Sequence, residues 1–442
     1  MSSAPQPAEE RSYLWFMASA LAVTLLAGLT LPFLIAAGYS GQAPWSGRLD
    51  NLVQAHGALQ LQGWAGLVVA GMGLRMVPRL AGRRPLPSVI TGSILALMLG
   101  GLLLRTYGQT LSPTWMAGGF LDAGAWSTGA GMAAFAVATA STLVIRRVMR
   151  SWALGAWAAA VWWLVWAALT VRAAALSTAG VLPADASDAA NWVGLLGAVG
   201  NIVWAVQSRS VPVFYGRRPP GRLRLAPPLV LFNLGLAAVV VAIAAGGDSA
   251  GLYGPGLAAT GLGMAWLAPV AGSIVGTANR LRPGSRAAAS FIVAANVWAV
   301  AAGLLMVAGA ALGVASGQPP PVTLRDAAYH AFALGTVTIL IVGMAQLVTP
   351  VFAIQRASAA LRPTVPHRLI LATLMLATAL RVVAGAANSA ISQGLWTLLI
   401  AMAGSLAWIG LATFAFAMAR SWLRQSRLKT ELVSSARDKR PS

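Results

Sequence analysis

The chain is predicted to be an all-α polytopic membrane protein: about twelve transmembrane helices in one pseudo-threefold (3 × 4 helix) bundle, with both termini cytoplasmic. Three observations predict it. The 442 residues are 58% hydrophobic and only 9% charged, with a mean hydropathy of +0.72, far from the balance of a water-soluble domain. Apolar runs of membrane-crossing length recur along the whole sequence. The cations cluster in alternate loops between those runs, on one side of the membrane.

A hydrocarbon core of ~30 Å needs about 20 apolar residues per helix. Runs of that kind occupy 13–37, 52–78, 87–107, 115–145, 152–178, 189–213, 227–247, 254–278, 287–315, 326–353, 368–388 and 394–420. Residues 1–12 are polar and precede a full-length span, which predicts a disordered start rather than a cleavable signal. Residues 421–442 form a basic tail. Residues 13–420 then form a single transmembrane domain, with four-helix units at roughly 13–150, 151–285 and 286–420.

The net charge of +21 suggests nucleic acid only until the charges are placed. Arg11, Arg79, Arg83, Arg84, Arg146, Arg147, Arg150, Arg209, Arg217, Arg218, Arg222, Arg224, Arg280, Arg282, Arg286, Arg356, Arg362, Arg368 and the basic tail share one side of a twelve-span topology. The opposite loops hold Arg48 and Arg325 beside Asp50, Asp185, Asp188, Asp248 and Asp326. This asymmetry marks the basic side as cytoplasmic and the partner as a lipid bilayer with anionic headgroups, not nucleic acid. Cysteine is absent. Disulfides, thiolate metal sites, iron–sulfur clusters and c-type haem attachment are thereby excluded, leaving His, Met and oxygen ligands.

An internal repeat organises the spans. The second and sixth end in Val77-Pro78-Arg79-Leu80-Ala81-Gly82-Arg83-Arg84-Pro85 and Val211-Pro212-Val213-Phe214-Tyr215-Gly216-Arg217-Arg218-Pro219, both fitting V-P-x-x-x-G-R-R-P. The tenth ends in Thr349-Pro350-Val351-Phe352, and its start, Asp326-Ala327-Ala328, copies Asp188-Ala189-Ala190. Pro78, Pro212 and Pro350 are 134 and 138 residues apart, the length of four helices with their loops.

His56 and His330 stand on the second and tenth spans, six residues after Asp50 and four after Asp326. At about 1.5 Å per residue their depths differ by ~3 Å. Ionisable groups inside a membrane are costly and mark functional sites, and two imidazoles at one level suit a shared metal, such as an iron held from both faces of a flat macrocycle. Hydrogen bonding to a neighbouring helix is the alternative for either ring alone. The third histidine, His367, is expected in a cytoplasmic loop.

These residues resemble the haem-copper oxidase superfamily, whose catalytic subunit has twelve helices in pseudo-threefold order and a low-spin haem held by one His on helix 2 and one on helix 10. His56 reaches Pro78 after 22 residues and His330 reaches Pro350 after 20, similar to that family's spacing. Where those oxidases carry H-x-H on helix 10, this chain reads Ala328-Tyr329-His330; where they place copper-binding histidines it has Asn191, Trp192 and Asn233. The resemblance therefore implies one haem site and no oxygen-reducing centre. A closer resemblance is to the NnrS family of membrane proteins linked to the bacterial nitric oxide response and described as binding haem and copper. It rests on His330-Ala331-Phe332 with Gly335 and Gly343, and on Arg209-Ser210-Val211-Pro212-Val213-Phe214. That family opens helix 2 with H-x-H-E, whereas this chain has His56-Gly57-Ala58-Leu59, so copper lacks its expected ligands.

The resemblance implies an inner-membrane protein with one bis-histidine haem b, acting in nitric oxide or redox stress response, with a redox partner protein and no oxidase-type turnover. Two axial imidazoles suit electron transfer or sensing. Arg381, some thirteen residues into its helix, needs an anion, and haem propionates would supply one; Arg105 is a second candidate for the same role. Snorkelling to the outer surface explains Arg105 and Arg172 otherwise. Arg75 is expected at the inner interface and Asp122 in the outer headgroup layer. The outer acids Asp50, Asp188 and Asp326 would form at most a mild cation funnel. Trp157, Trp162, Trp163 and Trp166 on the fifth span either line a cofactor cavity or pack the core. Two other functions fit the same spans: a twelve-helix secondary transporter, and a cofactor-free assembly partner of a respiratory complex.

Overall fold

Helix is the regular structure throughout the described residues of the computed structural model, which are 12–39, 45–246, 251–272, 286–352 and 365–437. Twelve long helices appear among them. They are α1 (Ser12–Tyr39), α2 (49–80), α3 (Ser88–Thr110), α4 (Thr114–Ile145), α5 (Trp152–Ala175), α6 (Ala184–Phe214), α7 (Arg222–Ala244), α8 (Tyr253–Gly272), α9 (Arg286–Ser316), α10 (322–352), α11 (Val365–Ala386) and α12 (Gln393–Arg437). Ten are long and apolar enough to cross a membrane, as an all-α multi-pass membrane protein requires. The other two are α2, diluted by Gln54, Gln60, Gln62 and Arg75, and α8, diluted by glycine. The expected disordered start falls almost wholly outside the described residues, apart from Ser12, which opens α1. The basic tail continues α12 as helix to Arg437.

Apolar burial sorts the helices into an inner set and an outer set. The apolar windows of α6 and α10 are 89% and 72% buried, whereas those of α3 and α12 are 33% and 28% buried. Nearly every side chain of α2 from Leu59 to Gly71 is buried as well. The three helices that carry the sequence repeat therefore form the centre, and sequential pairs such as α3 with α4, α7 with α8 and α11 with α12 pack around them.

The repeat extends beyond the prolines. Each central helix contains an eight-residue π-helical segment, Leu59–Gly66, Val193–Gly200 and Ala331–Thr338, at the same 134- and 138-residue intervals. Such wide turns are rare and gather at functional sites. A glycine occupies the same place in each, Gly63, Gly197 and Gly335, and a Cβ there would press on Val23 at 2.7 Å, Trp162 at 2.8 Å and Trp298 at 2.5 Å. The preceding outer helix of each unit packs into that notch. Trp64 joins two of the segments directly, its Nε1 donating to Thr338 Oγ1 at 3.0 Å.

The V-P-x-x-x-G-R-R-P motif closes its helices. Gly82 and Gly216 adopt φ +72° and +67°, and the next amides, Arg83 and Arg217, donate back to the carbonyls of Pro78 and Pro212 at 2.7 Å. This is the six-to-one bond of a Schellman cap, in which glycine carries the left-handed residue without a Cβ penalty. The third copy runs beyond the described residues.

Outer pairs repeat as well. Gly101 of α3 meets Gly124 and Thr128 of α4, and Gly235 of α7 meets Gly256 and Thr260 of α8 in the same way. In the third unit the partners exchange sides, Thr373 on α11 facing Gly410 on α12. Small residues let helix backbones approach closely where no hydrophobic force draws them together. Gly235→Ala forces its Cβ onto the α8 backbone and is expected to lower stability by about 1–3 kcal/mol. Gly92→Ala on α3 has open space and should raise it by about 0.5–1 kcal/mol. Thermal unfolding in detergent checks both signs.

Candidate functional site

At the end of the bundle where α2 and α10 begin, one proline prepares a hydrogen-bond acceptor. Pro32 has no N–H for the carbonyl four residues earlier, so Gly28 O on α1 lacks its helical donor. α1 breaks there, at Leu29 and Thr30. His56 of α2 fills the vacancy: its Nδ1 lies 2.7 Å from Gly28 O. The neighbouring Gln60 is held by Thr24 Oγ1 at 2.9 Å.

His330 of α10 is oriented by its own helix. Its Nδ1 lies 2.9 Å from the carbonyl of Asp326 and 3.1 Å from that residue's Oδ1. Arg381 of α11 grips the same carboxylate with both terminal nitrogens, NH1 to Oδ2 at 2.7 Å and NH2 to Oδ1 at 2.9 Å. Gly385, one turn on, keeps room for it, since a Cβ there would stand 2.7 Å from Oδ2. Tyr329 packs edge-on to both His330 and Trp192.

The two imidazoles stand just before the π segments that the Trp64–Thr338 hydrogen bond joins, His56 three residues before Leu59 and His330 one residue before Ala331. Each spends Nδ1 on a carbonyl, and neither Nε2 has a hydrogen-bond partner among the described residues. That pattern fixes a histidine with its Nε2 lone pair outward, the arrangement a metal ligand needs. Gly57, next to His56, has no atom within 4 Å of where a Cβ would stand. Among the described residues no three of His, Asp and Glu gather into a metal-ligating group. Two imidazoles fall short of the three or four ligands of a protein-made zinc or copper site.

No family model matches the chain, and no curated protein does.

The other candidate residues are divided among different surroundings. Arg381, assigned an external anion from sequence, has one inside the protein in Asp326. Asp326 and Asp188 are held in ion pairs rather than arrayed as a funnel, Asp188 facing Arg325 at 3.6 Å. Arg105 stands on the other side of α2, beside Ala58, Leu61 and Gln62 and next to α5 and α6. His367 lies in the first turn of α11 rather than in a loop. Arg75, expected at an interface, is 3% exposed and lies over the Tyr13 ring at 4.6 Å. Asp122 and Arg172 are exposed.

Asn233 is engaged within the protein. It accepts from Trp162 at 2.6 Å and Asn201 at 2.9 Å and donates back to Asn201. Trp163 and Trp166 are buried and stack edge-on with each other. Sequence reasoning passed over Gly28 and the pairing role of Asp326; Pro32 and the Asp-x-x-x-His spacing were the available signals.

Proposed function

We propose that this protein is an inner-membrane haem protein of the NnrS-like, haem-copper-oxidase-like kind, with one low-spin haem b between His56 and His330. In this reading it has twelve spans in three four-helix units, with both termini cytoplasmic, and it acts in nitric oxide or redox stress response. The observation that carries the reading is the pair of imidazoles on repeat-related central helices, both tied through Nδ1 and both with Nε2 unspent.

The repeat register supports it further. The π segments align Leu59 with Ala331, so His330 corresponds to Ala58 and stands two residues out of step with His56. The two rings therefore stand at nearly the same place along their π segments, His56 three residues before Leu59 and His330 one residue before Ala331.

A haem held by His56 and His330 would supply reversible one-electron chemistry, which suits electron transfer or sensing better than gas turnover. The protein's own groups set the conditions. Asp326 puts a carboxylate against His330 Nδ1, which raises the basicity of Nε2 and favours the more positive state of a metal it holds. Gly28 O offers His56 only a neutral carbonyl. Arg381 balances the Asp326 charge, so the assembly carries no net burden into the membrane.

A pyridine haemochrome assay on the detergent-purified full chain tests the reading. Haem b at one per chain is expected. A colourless protein that moves a labelled solute in proteoliposomes would replace this function with transport.

A further inference from the structure

A groove of about 540 Å³ opens on the outside of the bundle between α1 and α12, lined by Leu25, Leu26 and Phe33 on one side and Trp408 and Ile409 on the other. It lies against the irregular part of α1, where the π segment Thr24–Gly28 runs into the break at Leu29 and Thr30. The two helices touch at both ends of it. Gly404 faces Pro32, whose Cβ lies 3.3 Å from where a Cβ on the glycine would stand, and Trp408 Nε1 donates to Leu25 O at 3.1 Å. From Leu25 to Pro32 is seven residues, about 10 Å of helix.

The groove sits at the depth of lipid chains. Ser405 and Ile409 stand midway along the span Gln393–Arg420, the first of them about 18 Å from its start, inside a hydrocarbon core of ~30 Å. The few polar groups of the lining are already spent. Thr30 Oγ1 donates to Ala27 O at 2.7 Å and Ser405 Oγ to Ala401 O at 2.8 Å. Water there would lack the two to four polar partners it needs. A helix of ~10–12 Å diameter is too broad for a notch closed at both ends over about 10 Å. A thin, flexible hydrocarbon chain fits, and the bilayer supplies one.

We propose that this groove is a binding site for one acyl chain of a bilayer phospholipid. Seated there, the acyl chain packs on Leu26, Phe33 and Ile409 and supports the α1 break, whose Gly28 O receives His56. The site does not depend on the haem reading.

Native mass spectrometry and thermal unfolding of the full-length protein in mild detergent test it. One phospholipid retained per protein is expected, and added dioleoylphosphatidylglycerol should raise the midpoint of delipidated protein saturably, by about 2–4 °C. Leu26→Trp, which fills the groove from within, should lose both the retained lipid and the response. Leu103→Trp, at an exposed position of α3, should keep both. A wild type that retains no lipid and has a flat midpoint, or a Leu26→Trp protein that behaves like Leu103→Trp, overturns the site. A lipid-free dimer overturns it in favour of a second copy. Should Leu26→Trp fail to fold, a phospholipid with a diazirine in its acyl chain decides on the wild type. Adducts concentrated on residues 25–33 and 405–409 support the site, and adducts spread evenly over the exposed faces of α1, α3 and α12 mean annular lipid only and overturn it.

Discussion

If the proposed haem is held by His56 and His330, His330→Ala is expected to abolish the low-spin spectrum of the reduced protein, and His56→Ala to do the same. Each variant would remove one of the two proposed iron donors, so affinity for the iron should fall on the order of 100-fold or more. The helices persist, because their stability comes from apolar packing across the bundle and not from either imidazole. His330→Ala leaves Asp326 with its two bonds to Arg381 and creates no orphan charge. His56→Ala strips the donor from Gly28 O, a loss of roughly 1–2 kcal/mol. Absorption spectra of both variants, with thermal unfolding as the folding control, separate loss of a ligand from loss of the protein. Added imidazole should partly restore the bands in His56→Ala, where the vacated space opens beside Gly57. Unchanged spectra in both variants remove the haem reading.

The second large effect concerns the ion pair. Asp326→Asn leaves the Arg381 guanidinium without a counter-charge in an apolar helix, and Arg381→Gln leaves the carboxylate in the same position. A fully buried pair broken this way costs about 3–5 kcal/mol. The side chains here are 18% and 36% exposed, and screening lowers the expectation to about 1–3 kcal/mol. The double variant Asp326→Asn with Arg381→Gln buries no charge and should recover most of that loss. Thermal midpoints of the three variants measure the coupling, and additive losses would show that the pair does not act as a unit. Asp326→Asn should also raise the reduction potential of a bound haem, because it withdraws negative charge from His330 Nδ1.

Much of the fold was legible because a membrane demands long apolar runs, and those are written in the composition. The run at 115–145 corresponds to α4 within one residue, and Pro78, Pro212 and Pro350 pick out the three helices that occupy the centre. The π segments were not legible. A change of hydrogen-bond register from four residues to five leaves no composition signal, and only the aligned glycines at 63, 197 and 335 hint at it. The Gly101 and Gly235 contacts were hidden for a related reason, since small residues abound in every helix here.

The site was legible in part. His56 and His330 were found from depth and repeat position, which survive without tertiary information. Arg381 was given an external anion because its carboxylate partner lies 55 residues earlier, where the sequence suggested a membrane boundary. Arg105, a candidate propionate partner or snorkelling cation from sequence, is half-buried between α2, α5 and α6, and sequence distance from a helix end does not reveal which face neighbouring helices cover. The prolines around His367 suggest a loop, but Pro366 is tolerated in a first helical turn, and α11 begins at Val365.

The proposed haem requires the two imidazoles, from α2 and α10, to meet on one iron. Electron paramagnetic resonance of the oxidised, purified wild-type protein reads that arrangement directly. A low-spin ferric signal of the two-imidazole type is expected, and it should vanish in His330→Ala. A high-spin ferric signal in the wild type, or no iron signal at all, would contradict it.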